Sequence, residues 1–380
     1  MLNPENLLRP HIRAMDPYTP ILPFEVLSEQ LGFPADQIIK LDANENPYGP
    51  ITPVAEALAE LPYTHIYPDP ESRLLRQAIS RVTGVPFENI LAGAGADELI
   101  DLIMRLLLDP GDFVLNCPPT FGMYHFDAEV NAARVISVPR QANFELDLDG
   151  IAAAVAQHCP KVLFLASPNN PDGGLLPPEV ISVLLDLPLI LVLDEAYIDF
   201  AETDSLISWV SKRDNLIVLR TFSKWPGLAG LRVGYGAFPA WMMPHLWKIK
   251  QPYNVSVAAS TAAIVSLENV EQLEARTALI VSERERLYRV LQAIPWLQPY
   301  PSQANFILCR VKQIDAPKGN VEIYETIGTS KRSAAQLKAD LAQKHGILIR
   351  YFDKPGLRDH IRISVGKPEH TEALLQAMMG

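Results

Sequence analysis

The chain has 380 residues, of which 48% are hydrophobic and 20% charged; that supplies a large core in about two domains and excludes a disordered chain or a coiled coil. With 33 Lys and Arg against 44 Asp and Glu the net charge is −11, which repels phosphate backbones and anionic lipid and argues against nucleic acid or a membrane surface as partner. Cys117, Cys159 and Cys309 form no CxxC pair, so neither a disulfide scaffold nor a zinc ribbon is written, and reduced, buried thiols in the cytosol are expected.

In chain order, residues 1–10 hold polar residues and two prolines where a signal peptide would need an apolar stretch, so none is expected. Prolines at 4, 10, 17, 20, 23, 34 and 47 make the segment to about residue 48 read as an arm with one short helix, Phe24–Leu31. Over 71–83, Leu74, Leu75, Ala78, Ile79 and Val82 recur at helical spacing, and Gly84 is a natural stop. A second helix is expected over 97–108. Short apolar runs then follow at 113–117, 135–138, 162–166, 189–194, 216–219 and 233–237. Most lack strict alternation, which fits strands buried on both faces. Helical stretches separate several of them, at 123–132, 148–157 and 179–185.

This alternation argues for an α/β fold with a mostly parallel sheet flanked by helices. Residues 257–294 suit one or two helices that lead into a smaller α+β unit, with Pro295, Pro299 and Pro301 ending them. That unit should hold strands near 305–309, 347–351 and 360–365 and helices at 334–344 and 369–378. The polar stretch between 311 and 332 reads as an exposed loop or insertion. The expected divisions are an arm over 1–48, a large domain over 49–270 and a small domain over 271–380. The most apolar window, 180–193, is broken by Asp186 and Pro188 and falls short of the roughly 20 residues that span a bilayer, so a soluble cytoplasmic protein is expected.

The sharpest motif is Arg220-Thr-Phe-Ser-Lys-Trp-Pro-Gly-Leu-Ala-Gly-Leu-Arg-Val-Gly-Tyr-Gly, a turn after a predicted buried strand. Lys224, among Trp225 and small residues, is either a desolvated amine nucleophile of lowered pKa or a solvated loop lysine. Upstream, the apolar run 189–193 ends in Asp194-Glu-Ala-Tyr, at the strand end where open α/β sheets bind ligands. A carboxylate there either pairs with a cationic ring nitrogen or caps the next segment. The run 162–166 ends in Ser167-Pro-Asn-Asn-Pro-Asp-Gly-Gly, which presents Asn170 at the same end, although such residues also make ordinary turns. Ala92-Gly-Ala-Gly-Ala-Asp-Glu leads into a helix whose free N–H groups could hold a phosphate.

Taken together, a phosphate-type helix start, an Asn turn, a strand-end Asp with Tyr three residues on, then Ser-Lys and an Arg eight residues further resemble the fold-type-I enzymes that use pyridoxal 5′-phosphate (PLP). Within that superfamily the chain is similar to the histidinol-phosphate aminotransferases over nearly its whole length. The similarity rests on Arg9-Pro-His-Ile-Arg, Leu41-Asp-Ala-Asn-Glu-Asn-Pro-Tyr-Gly, Tyr67-Pro-Asp, the Gly-Ala-Asp-Glu run, Leu-Ala-Gly-Leu-Arg, and Ile361-Arg-Ile-Ser-Val-Gly.

The resemblance implies Lys224 as the amine that joins PLP covalently and shuttles a proton, with Asp194 keeping the pyridine nitrogen protonated. Tyr197 and Asn170 would donate to the phenolic oxygen, and Phe121 would stack on the ring. Backbone N–H groups of Ala96 and Asp97, together with Ser223 and Arg232, would hold the cofactor phosphate. Tyr67 would reach that phosphate in the neighbouring subunit of a homodimer. Arg362 would clamp the substrate anion, and one guanidinium can fork to a phosphate or a carboxylate. Tyr18 and Asn44 would line the substrate pocket, and Arg350 would sit at its phosphate end. No metal is implied. The reaction would convert L-histidinol phosphate and 2-oxoglutarate into imidazole-acetol phosphate and L-glutamate, in histidine biosynthesis.

Threonine-phosphate decarboxylases and aromatic aminotransferases share these motifs. A PLP-sensing module fused to a DNA-binding domain is opposed by the acidic balance and the lack of an N-terminal helix-turn-helix. Three features depart from the family pattern: Asp172 where Thr is usual, Trp225-Pro226 after the lysine, and a longer connection over 315–331.

Overall fold

The computed structural model describes residues 3–18, 21–312 and 333–379; the expected insertion at 315–331 lies outside them. Twelve strands are described: β1 (Ile39–Leu41), β2 (Ile90–Gly93), β3 (Phe113–Asn116), β4 (Arg134–Ser137), β5 (Val162–Ala166), β6 (Ile190–Asp194), β7 (Leu216–Thr221), β8 (Gly234–Ala237), β9 (Leu297–Pro299), β10 (Phe306–Val311), β11 (Ile347–Tyr351) and β12 (His360–Ser364). Seven form the larger sheet in the order β2-β8-β7-β6-β5-β3-β4. Only β8 runs against its neighbours.

The continuous apolar runs have a two-sided explanation. Leu163 and Leu165 of β5, Leu191 and Leu193 of β6, and Leu216 and Val218 of β7 enter one core. Val162, Phe164 and Ala166, with Val192, Ile217 and Leu219, enter another. The first face is covered by the helices Thr52–Ala59, Arg73–Thr83, Leu148–His158, Pro178–Leu185 and Val257–Glu268, the second by Ala96–Leu107, Met123–Val130 and Met243–Ile249. Each Leu or Ile so buried contributes about 1.5–3 kcal/mol. Because β5, β6 and β7 are parallel, with Ala166 level with Asp194 and Asp194 level with Leu219, the three motif-bearing turns leave the sheet at one edge.

The second sheet has the order β1-β11-β12-β10-β9. Its first strand comes from the arm: Ile39, Lys40 and Leu41 pair in parallel with Ile347, Leu348 and Ile349. The arm therefore supplies structure beyond the expected helix, and three residues are too few for alternation to reveal it. A short helix, Pro10–Ala14, also precedes Phe24–Leu31. Residues 257–294 form two helices separated at Asn269, Val257–Glu268 and Val270–Gln292. The second spans both cores, burying Leu273 in the larger and Ile280, Leu287 and Leu291 in the smaller.

Thr52–Ala59 and Met243–Ile249 escaped the sequence reading because each carries a proline near its start, where the missing N–H costs nothing. Cys117 and Cys309 are buried, but Cys159 is exposed, contrary to expectation: it ends Leu148–His158 in a left-handed conformation, φ 48°. Among the described residues no helix is long and apolar enough to cross a membrane.

Candidate active site

The turn after β7 carries Lys224 inward. Gly227, at φ +74°, lets the chain pass so close to Gly49 that a Cβ would stand 2.8 Å from its carbonyl carbon. Lys224 Nζ donates to the Ala43 carbonyl at 3.0 Å and lies 5.9 Å from the Tyr197 ring centroid. Burial, helped by the nearby Arg362 cation, lowers its pKa to about 8, so the neutral amine is accessible near neutral pH.

Asp194 ends β6 and is buried. Its Oδ2 accepts from Tyr124 Oη at 2.7 Å and its Oδ1 from the Ala196 N–H at 3.0 Å. Burial raises its pKa to about 6, against the pull of those two donors. Tyr124 is a functional candidate that sequence reasoning missed. It is fully buried, stacked on Phe164 at 5.2 Å and met edge-on by Phe121 at 5.5 Å.

Two further chains of contact converge from the other sheet and the arm. Tyr197 Oη accepts from Asn44 Nδ2 at 3.0 Å, and Asn44 Oδ1 accepts from Ser364 Oγ at 3.0 Å. Asn44, expected to line the substrate pocket, thus spends its side chain on Tyr197 and Ser364. Asn170 Oδ1 accepts from Arg362 Nη1 at 2.6 Å, and Arg362 Nη2 donates to the Asp42 carbonyl at 2.7 Å. Arg362 Nε is buried without a partner, and burial holds the guanidinium down at about 10. Arg350 stands directly opposite Arg362 across the β11–β12 ladder. Like charges so placed repel, and an oxyanion between them relieves the repulsion.

A second corner has anion-binding character. Arg232, at φ 52°, donates to Ser223 Oγ at 3.3 Å and to Asp97 Oδ2 at 3.1 Å. No side chain caps the helix Ala96–Leu107, so the first-turn N–H groups, including those of Ala96 and Asp97, keep their affinity for a phosphate. Gly95 sits at φ +88°, a conformation that strains any side chain, and a Cβ there would push aside Arg232 Nη2, 2.5 Å away. Glu98 braces the turn by accepting from the Ala94 N–H and from Asn254 Nδ2, both at 2.6 Å.

Not every expected residue joins these corners. Tyr67 is 79% exposed and stacks on Tyr253 at 4.7 Å. Tyr18 is exposed and meets the edge of Phe126 at 6.0 Å, but it comes within electrostatic reach of Arg362. The departure at Asp172 has a local explanation: its carboxylate accepts from the Gly174 N–H at 2.8 Å and from Asn169 Nδ2, closing the turn that carries Asn170. The Trp225 carbonyl accepts from Asn46 Nδ2 at 2.9 Å, which ties the turn after the lysine to the arm.

A buried carboxylate for a cationic ring nitrogen, an amine of lowered pKa and a phosphate-type helix start with Ser and Arg beside it are a donor set that fits the cofactor implied by the motifs. Among the described residues no group of three or more His, Cys, Asp or Glu is placed to hold a metal ion.

Residues 36–378 match the family described as aminotransferase class I and II. The chain is 54% identical to the chloroplastic histidinol-phosphate aminotransferase of Nicotiana plumbaginifolia, over 98% of this chain and 86% of that one. It is 53% identical to the histidinol-phosphate aminotransferase of Roseiflexus castenholzii, over 98% and 97%. The structure of the Sinorhizobium meliloti histidinol-phosphate aminotransferase in complex with pyridoxal-5′-phosphate superimposes with a TM-score of 0.85 at 30% identity, covering 98% of this chain and 96% of that one.

Proposed function

Because the chain belongs to the class I and II aminotransferases, we propose that it is a PLP-dependent enzyme of histidine biosynthesis. It exchanges the amino group between L-histidinol phosphate and 2-oxoglutarate, giving imidazole-acetol phosphate and L-glutamate. The names of relatives more than 50% identical over nearly the whole chain support the substrate. The observation that carries the reading is the Arg350–Arg362 pair on adjacent strands, beside Asn170 and the Lys224 amine. A phosphate neutralises two guanidiniums, and Arg362 forks equally to the carboxylate of glutamate.

When bound, PLP supplies an electron sink that stabilises negative charge at the substrate Cα. The protein's groups do the rest. Lys224 Nζ would hold the cofactor until the substrate amine takes its place, and the freed amine would then take up the Cα proton, a role suited by its value of about 8. Asp194 keeps a proton on the ring nitrogen, steadied by Tyr124. Tyr197 and Asn170 donate to the phenolic oxygen; the Asn170 carbonyl is taken by Arg362, which leaves its amide N–H groups for that purpose. Phe121 covers the ring. Ser223, Arg232 and the N–H groups of Ala96 and Asp97 bind the cofactor phosphate. Arg362, Arg350 and Tyr18 bind substrate.

We further read the enzyme as a cytoplasmic homodimer with an arm over 1–48, a large domain over 49–270 and a small one over 271–380. Separate sheets and cores support the division, and unpaired cysteines suit a reducing compartment. An exposed apolar group, Tyr63, Ile66, Tyr67, Leu74 and Tyr253, supports a subunit interface through which Tyr67 reaches the cofactor phosphate of the other copy. The test is the visible absorption of the PLP-loaded protein. L-Histidinol phosphate without any oxo acid should bleach it, and 2-oxoglutarate should restore it. A protein that ignores histidinol phosphate but releases carbon dioxide from phosphothreonine, or reacts only with aromatic amino acids, would overturn the assignment.

A further inference from the structure

Asn44 was expected in the substrate pocket, and the structure gives its side chain a different set of partners. It is 1% exposed and sits at φ 55°, a left-handed conformation that asparagine tolerates better than most residues with a side chain. All its polar groups are engaged. The backbone N–H donates to Ser364 Oγ at 2.8 Å, and the backbone carbonyl accepts from Asn305 Nδ2 at 3.0 Å. The side chain bridges Ser364 and Tyr197, each at 3.0 Å.

Donor and acceptor bookkeeping gives this chain a direction. Ser364 Oγ accepts the Asn44 backbone N–H, so its own proton goes to Asn44 Oδ1. That turns the amide nitrogen toward Tyr197. An amide N–H group donates and cannot accept, so Tyr197 Oη is the acceptor there and its proton must point elsewhere. We propose that Ser364 and Asn44 form a positioning relay that aims the Tyr197 hydroxyl proton into the site, at the phenolic oxygen of the bound cofactor. The relay rests on the reading of Tyr197 as a donor to that oxygen. Asn44 then acts through Tyr197, without touching substrate, and helps keep the negative charge on the phenolic oxygen stable.

The test uses the PLP-loaded dimer and reads the pH midpoint of the bound cofactor's visible absorption change, together with kcat and KM for histidinol phosphate. Tyr197→Phe should raise the midpoint by about one pH unit, a tenfold change in proton affinity. In Asn44→Asp a carboxylate replaces the amide, captures the Tyr197 proton and should give the same rise; combined with Tyr197→Phe it should add nothing. Asn44→Gly keeps the left-handed backbone, frees the hydroxyl to rotate and should give a smaller rise, which keeps the test open if the buried carboxylate prevents folding. A raised KM for histidinol phosphate with an unmoved midpoint in both Asn44 variants would make Asn44 a substrate contact and overturn the relay. An unmoved midpoint in Tyr197→Phe itself would overturn the underlying reading of Tyr197 and the relay with it.

Discussion

Replacing Asp194 with Asn should stabilise the cofactor-free protein while destroying its chemistry. The buried carboxyl holds its proton up to about 6, against an ordinary 3.8. At roughly 1.4 kcal/mol per tenfold change in proton affinity, the ionised form costs the fold about 3 kcal/mol. The proton is held more tightly in the folded chain than in the unfolded one. The cost is therefore absent below about pH 4, grows between about 4 and 6, and is complete above that. Asn removes the charge but offers one acceptor oxygen to two donors, Tyr124 Oη and the Ala196 N–H, returning about 1 kcal/mol.

The net expectation is about 2 kcal/mol of added stability at about pH 7.5 and a loss of about 1 kcal/mol at about pH 4. Urea unfolding midpoints of the cofactor-free proteins, measured at equal concentration at both pH values, report this directly. A variant less stable than wild type at the higher pH, or a difference that ignores pH, would refute the reasoning. Turnover of the loaded variant should meanwhile fall by about a thousandfold or more, since the ring nitrogen loses its carboxylate. The combination is a stability cost accepted for function.

Gly95→Ala forces a methyl group against Arg232 at an unfavourable φ. PLP affinity, read by spectral titration, should fall about tenfold or more, with about 1 kcal/mol lost in stability; binding as tight as wild type would show that the corner does not hold the phosphate. Arg350→Ala should raise KM for histidinol phosphate about tenfold and change KM for glutamate less, because the Arg362 fork satisfies both oxygens of a carboxylate whereas a phosphate offers a third to a second guanidinium. Arg362→Lys should weaken both substrates, and steady-state kinetics of the two half-reactions separates the patterns.

The larger sheet was legible because β5, β6 and β7 are apolar runs cut off sharply by polar turns, so Asn170, Asp194 and Lys224 announce themselves where the runs stop. β2 was not, since its four residues, Ile-Leu-Ala-Gly, end within a glycine-rich turn. Tyr124 and Ser364 gave no signal of their own. Their partners lie 70 and 320 residues away, and each looks locally like helix core or strand filler. The same limit applied to Asn44, whose motif suggested the substrate pocket while its bonds run to Tyr197. Side chains that meet across elements leave no periodicity, and only the fold reveals them.

The strand contributed by the arm has a consequence for how the site comes into being. Residues 39–41 pair with 347–349, the Asp42 carbonyl takes Arg362, and the Ala43 carbonyl takes Lys224. Residues 39–42 must therefore wait for partners made about three hundred residues later before they find their places. A nascent chain can build the seven-stranded sheet, with its lysine and aspartate, long before the clamp that receives substrate exists. Loop closure over some three hundred residues thus completes the site, and competence arrives only once the strands of the second sheet have been made.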